Sequence, residues 1–239
     1  MKMKLFDREV IVSFLSGSHN RNLDTESSDK DYKAFVMPTF EDLYTKNQFK
    51  DTQVTPTIDT EVHDIRALEN LFYKSNITYL ELLYSIEIQT YGYDEMEEIL
   101  SMRDDIVTMH LGNFFNASFG MYNSQMKILK NLEKNLTPSN IQQYNKKAML
   151  AIHFLSTLIK FYETGFSDFK SSFTYNDDER TYMLGIKHGN HSAEEVKDII
   201  QTKVDQTKAL ESMYLKQPIN EATLEKIQKL VRSMVLKSL

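Results

Sequence analysis

Gly17-Ser18, followed after ten residues by Asp29-Lys30-Asp31, is the stretch of this sequence with the clearest chemistry. One residue separates the two aspartates, so at the head of an extended segment their side chains project to the same face and can share a divalent cation. Mg2+ takes oxygen ligands, keeps several waters and is held through one or two carboxylates together with substrate phosphates. A glycine followed by a hydroxyl lets the backbone come close to a polyphosphate, whose oxygens the next N–H groups and the Ser18 hydroxyl can bind. Together these residues describe a place for Mg2+, or Mn2+, and a triphosphate.

A third carboxylate on a neighbouring strand would complete a two-metal site, one ion activating an attacking hydroxyl and the other neutralising the leaving pyrophosphate. Thr57 to His63 alternates, with Ile58, Thr60 and Val62 on one face and Asp59, Glu61 and His63 on the other. Asp59 and Glu61 are both candidates, and the alternation does not choose between them. Asp64 is a weaker candidate, because capping explains it equally well at the start of a helical pattern.

Strands must position these acids. Glu9 to Leu15 is rich in β-branched and aromatic residues and stops at Ser16-Gly17-Ser18, which predicts a buried strand ending in a tight turn. Asp31 to Met37 predicts a second strand closed by Pro38, a short helix fits 39–45, a loop runs through Pro56, and Thr57–His63 is the third strand. From Asp64 the apolar period becomes helical, Asn76 can cap a further turn, and 85–90 is ambiguous. Helices are expected from Tyr93 to about 103, from 104 to about 135, and from 139 to 163 with Gly165 as C-cap. Two more are expected, from the capping box Ser192-Ala193-Glu194-Glu195 to about 215 and over 220–236. The expected fold is α+β: a small mixed sheet in residues 1–90, followed by a helical domain in 91–239.

Composition sets the outer limits. Of 239 residues, 28 are basic and 34 acidic, a share typical of a folded soluble domain and not of a disordered chain. Only 7 Gly and 4 Pro leave little turn punctuation for a sandwich or barrel. With no Cys, disulfide, thiolate-metal and sulfur redox chemistry are all excluded. The net charge of −6 argues against broad electrostatic attachment to nucleic acid or an anionic membrane, although a local basic face remains open. Charges within the first nine residues, and the lack of any apolar run of about 20, lead us to expect a cytoplasmic protein without a membrane span.

The Gly-Ser turn, the D-x-D strand and the later acidic strand resemble the DNA polymerase β-type nucleotidyltransferases, and within them the RNA-ligase-associated family. The likeness runs over roughly residues 9–200. Asp59 to Arg66, then Lys74-Ser75-Asn76 and Leu80-Glu81-Leu82-Leu83, resemble that family's strand, helix and Leu-Glu-Leu-Leu segment. Lys147-Ala148-Met149 to Thr164-Gly165, and Gly185-Ile186-Lys187-His188-Gly189 with Glu194-Glu195-Val196, resemble its helical pieces. His19 stands where the family has Arg, Asn22 where it has Gly, and Asn76-Ile77 lacks the usual Pro; His153 and Lys187 also replace expected arginines. A guanidinium fork is thereby lost from any phosphate clamp.

The resemblance implies transfer of a nucleoside monophosphate from an NTP, such as ATP, to a hydroxyl acceptor that includes an RNA or tRNA end. In that reading Gly17, Ser18 and His19 face the triphosphate, Asp29 and Asp31 bind Mg2+, and Asp59 or Glu61 completes the site. Lys147 and Lys187 then contact triphosphate or acceptor. The alternative is a catalytically silent nucleotide- or RNA-binding module that partners an RNA-processing enzyme. Blander roles are expected elsewhere: His63, His153, His188 and His191 as core or surface histidines, and Phe114, Phe115, Phe119, Met121 and Tyr122 as helix packing. Lys127, Lys130 and Lys134 share one helix face that is either solvated or a groove for RNA phosphates.

Overall fold

The computed structural model describes residues 3–55 and 57–238. Six strands form one sheet: β1 (Lys4–Leu5), β2 (Arg8–Ser16), β3 (Lys30–Val36), β4 (Lys50–Val54), β5 (Ile58–Asp64) and β6 (Ile88–Thr90). The order is β1-β2-β3-β5-β4, with β6 also pairing with β2. β3 and β5 are parallel and every other pairing is antiparallel, so the sheet is mixed. The three expected strands are present. β4 falls where a loop was expected: all five of its residues are exposed, so this edge strand carries no apolar alternation, and its pairing with β5 is made by the backbone.

Short helices connect the strands: α1 (Gly17–Asn20), α2 (Phe40–Tyr44), α3 (Leu68–Tyr73) after a 3-10 turn at Ile65–Ala67, and α4 (Ile77–Leu80). Thr39 and Asp42 form a reciprocal capping box on α2, and Asn76 caps α4 through Thr78 N–H, as the sequence predicts. After β6 come α5 (Asp94–Ser101), α6 (Arg103–Thr108), α7 (Leu111–Glu133), α8 (Ile141–Glu163), α9 (Phe169–Phe173), α10 (Asp177–His188), α11 (Ala193–Leu215) and α12 (Glu221–Lys237). The helix expected over 104–135 breaks at Met109-His110, where the Met109 carbonyl accepts from Asn220 N–H (2.9 Å) and that of His110 from Ser75 Oγ (3.2 Å). α9 and α10 were not expected. α10 opens on its own capping box, Asn176 with Glu179, and closes on Gly189 at φ 81°.

The chain divides into two compact units, Met1–Asn20 with Asp24–His110 and Pro218–Leu239, and Arg21–Leu23 with Leu111–Gln217. This differs from the expected division at residue 91. α5, α6 and α12 belong with the sheet, because α12 packs on α3, α5 and α6 and is tied to α5 by Lys237–Glu95 (2.5 Å) and Lys226–Glu98 (2.7 Å). In the sheet unit, Val10, Ala34, Val36 and Val62 form a core cluster on one sheet face. In the helical unit, α8 is central; Phe114, Phe161 and Phe169 meet edge to face at 5.2–5.7 Å. The aromatic stripe is therefore packing, as expected. No helix among the described residues is long and apolar enough to cross a membrane.

Candidate active site

Strand register sorts the site into rows on one face of the sheet. β2 pairs Ser16 with Asp31, Phe14 with Lys33 and Val12 with Phe35, while β3 pairs Asp31 with Asp59, Lys33 with Glu61 and Phe35 with His63. Alternation puts these partners on a common face. The rows thus read Ser16–Asp31–Asp59, then Phe14–Lys33–Glu61, then Val12–Phe35–His63. Phe14, Phe35 and Val12 are fully buried, whereas Asp31 is exposed, so the face passes from apolar core to charged rim.

The Gly-Ser turn closes on that rim. β2 ends at Ser16, whose hydroxyl donates to the Asp31 carbonyl (3.1 Å), and Gly17 turns the chain at φ 69°, in the region that favours glycine. A Cβ built on Gly17 would collide with the Asp31 carboxylate, lying 3.3 Å from its Cγ. Glycine is therefore required twice, by backbone and by space, and it seats an acid against the turn. α1 is a single turn, and its first N–H groups have no acceptor within the helix. Asn20 anchors the end of that turn, donating to the Glu81 carbonyl and accepting from Ile86 N–H, each at 3.1 Å. Nothing in the sequence pattern marked Asn20 as a positioning residue, since its partners lie more than 60 positions away.

Of the two later acids, Asp59 stands in register with Asp31, while Glu61 is engaged by cations. Glu61 pairs with Lys33, with Lys50 (2.8 Å) and with His63 (3.1 Å). The His63 hydrogen bond, then Lys33 and Lys50, hold its carboxyl well below the usual carboxylate range against the opposing pull of burial. His63 is a core histidine: buried, stacked on Phe35 at 5.7 Å and bonded to the Tyr79 hydroxyl at 3.1 Å. Burial, and next the Glu61 charge, push the Tyr79 phenol up to about 12. Asp64 caps the 3-10 turn through Arg66 N–H (2.9 Å) and pairs with the Arg66 guanidinium.

Asp29 lies just before β3, exposed. Among the described residues, no three or more His, Asp or Glu side chains gather closely enough to hold an ion by themselves. The donor set nevertheless fits Mg2+, which is commonly held by one or two carboxylates and completed by substrate phosphates and water. The Gly17 cradle against Asp31 leaves no room for a side chain at that point.

The remaining predicted residues separate. His19, in α1, has a buried Nδ1 without a hydrogen-bond partner, and its Nε2 lies 3.9 Å from Asp24. Lys147 on α8 and Lys187 in the last turn of α10 belong to the helical unit, both half-buried. His153 is a core residue there, fully buried and bonded through Nδ1 to the Tyr175 hydroxyl at 2.9 Å. Asn22 adopts φ 61°, which explains how it can replace a glycine: asparagine tolerates the left-handed region better than other side chains. Lys127, Lys130 and Lys134 are exposed.

Comparisons with known proteins converge on these residues' superfamily. A search of curated proteins gives no match. Among solved structures, the chain is similar to a nucleotidyltransferase-like protein from Exiguobacterium sibiricum 255-15, with 12% identity and a TM-score of 0.31 over 97% of this chain and 71% of that one. The family model RlaP, described as the RNA repair pathway DNA polymerase beta family, matches residues 3–233. With the match spanning nearly the whole sequence, the chain belongs to that family of polymerase β-type nucleotidyltransferases.

Proposed function

We propose that this protein transfers a nucleoside monophosphate from an NTP to a hydroxyl and releases pyrophosphate. The hydroxyl oxygen bonds to the α-phosphorus, the α–β bridging bond breaks with its electron pair leaving on pyrophosphate, and the hydroxyl proton passes to a nearby carboxylate, for which Asp59 is our candidate. The observation that supports this is the seating of Asp31 against Gly17 with Asp59 in register beside it.

Asp31 and Asp59, with Asp29 at the strand head, would hold Mg2+ or Mn2+. Bound there, the ion lowers the pKa of the acceptor hydroxyl and offsets charge on the leaving pyrophosphate. Asp59 is preferred over Glu61 as the acid on β5, because a metal at Glu61 would have to displace cations already bound to it. Gly17 and Ser18 offer N–H groups and a hydroxyl to the triphosphate, with His19 beside them, and Lys147 and Lys187 contribute positive charge toward triphosphate or acceptor. The acceptor is an RNA end, which the RNA-repair description of the family supports.

Incubation of purified protein with Mg2+ or Mn2+, each α-labelled NTP and a pool of small RNAs tests this. Label should enter RNA and be lost in Asp31→Asn and Asp59→Asn. Incorporation unchanged by Asp31→Asn would reject these ligands. Tight NTP binding without incorporation would favour the silent-module alternative.

A further inference from the structure

The row beside the two aspartates holds a cation that the proposed reaction does not use. Lys33 follows Asp31 by two residues on the same face of β3, and Glu61 follows Asp59 by two on the same face of β5. The Lys33–Glu61 pair is therefore one register step, about 6.6 Å along the strands, from Asp31 and Asp59. A lysine on its flexible four-carbon stem spans that interval. Left unengaged, the Lys33 ammonium would compete with a divalent ion for the same carboxylate oxygens, and its charge would repel the ion.

Glu61 is built to prevent this. Its carboxylate binds Lys33 and is itself immobilised by Lys50 at 2.8 Å and His63 at 3.1 Å. His63 is fixed in turn by the Tyr79 hydroxyl at 3.1 Å and by stacking on Phe35. The Lys33 ammonium also lies over the Tyr79 ring, 4.9 Å from its centroid. We infer that Glu61 is a positioning residue that sequesters Lys33, so that the Asp31 and Asp59 carboxylates remain available to Mg2+. The inference rests on the metal-binding reading of those two aspartates.

Mn2+ binding to the full chain without nucleotide, followed by electron paramagnetic resonance, separates the two. Asp31→Asn should abolish binding; if it does not, the metal reading itself fails. With that reading intact, Glu61→Gln should weaken Mn2+ binding roughly tenfold, and Lys33→Met in the same chain should restore it to the wild-type value. Were Glu61 instead a ligand or a mere structural pair, the double variant would stay as weak as Glu61→Gln, and the inference would be overturned. Equal affinity of Glu61→Gln and wild type would overturn it as well. Should Glu61→Gln fail to fold by circular dichroism, Lys33→Met alone decides: binding as tight as wild type or tighter supports sequestration, and weaker binding refutes it.

Discussion

Gly17 is the residue on which the geometry of the site turns, because a single Cα both reverses the chain and leaves space for the Asp31 carboxylate. Gly17→Ala would add about 1 kcal/mol of backbone strain from the positive φ and force Asp31 away from its seat. We expect a fall in Tm of only a few degrees but a loss of nucleotide incorporation of at least about tenfold, since a displaced ligand affects chemistry more than stability. Equal incorporation by Gly17→Ala and wild type would show that the seat does not matter. The Gly-Ser turn and the D-x-D strand were legible in the sequence because both are local patterns. The choice between Asp59 and Glu61 was not: they share a face, and what distinguishes them is pairing register and the convergence of Lys33, Lys50 and His63, all set by strands apart in sequence.

At the scale of elements, α2 illustrates how local and long-range bonds join. Asp42 completes the capping box with Thr39 and receives two hydrogen bonds of 2.9 Å from Arg8 on β2, whose guanidinium also stacks 3.7 Å over Phe49. The Arg8 bonds, and then those from Thr39 and Asn47, hold the Asp42 carboxyl well below the usual carboxylate range although burial opposes them. A carboxylate depressed in the folded state contributes stability that is present above its unfolded value, about 4, and is lost as pH falls below it. Asp42→Asn should therefore cost about 2 kcal/mol at pH 7, or roughly 6 °C in Tm. That gap should narrow steadily as pH falls below about 4, read by thermal melts across pH; a gap of constant size would contradict the ion-pair account. α2 was visible from its N-cap, whereas β4 was invisible because a solvated edge strand has no apolar face to reveal it. α10 did carry a legible signal, the spacing of Asn176 and Glu179, and its end at Gly189 is testable: Gly189→Ala should cost about 1 kcal/mol and Gly189→Asn less, by urea denaturation.

For the whole molecule, the informative departure is that the last helix returns to the first unit. Periodicity identified 220–236 as a helix but carries no record of which core an amphipathic face meets, so the expected division followed chain order. α12 buries Ile227, Val231 and Met234 within the sheet unit. At about 2 kcal/mol for each fully buried apolar side chain, removing them withdraws about 6 kcal/mol, comparable with the entire stability of an ordinary domain. Truncation before Pro218 should thus abolish amide protection in β2, β3 and β5 by hydrogen exchange, together with any metal binding at Asp31. Protection in α8 and α11 should be retained, since α8 and Tyr214 are joined inside the other unit by the 2.6 Å bond from the Tyr214 hydroxyl to the Leu158 carbonyl. Loss of protection in the helices at the same rate as in the strands would mean that the two units unfold as one cooperative body. Loss confined to the strands would mean that the carboxyl-terminal helix supports the site from nearly 200 residues beyond Asp31 in the chain.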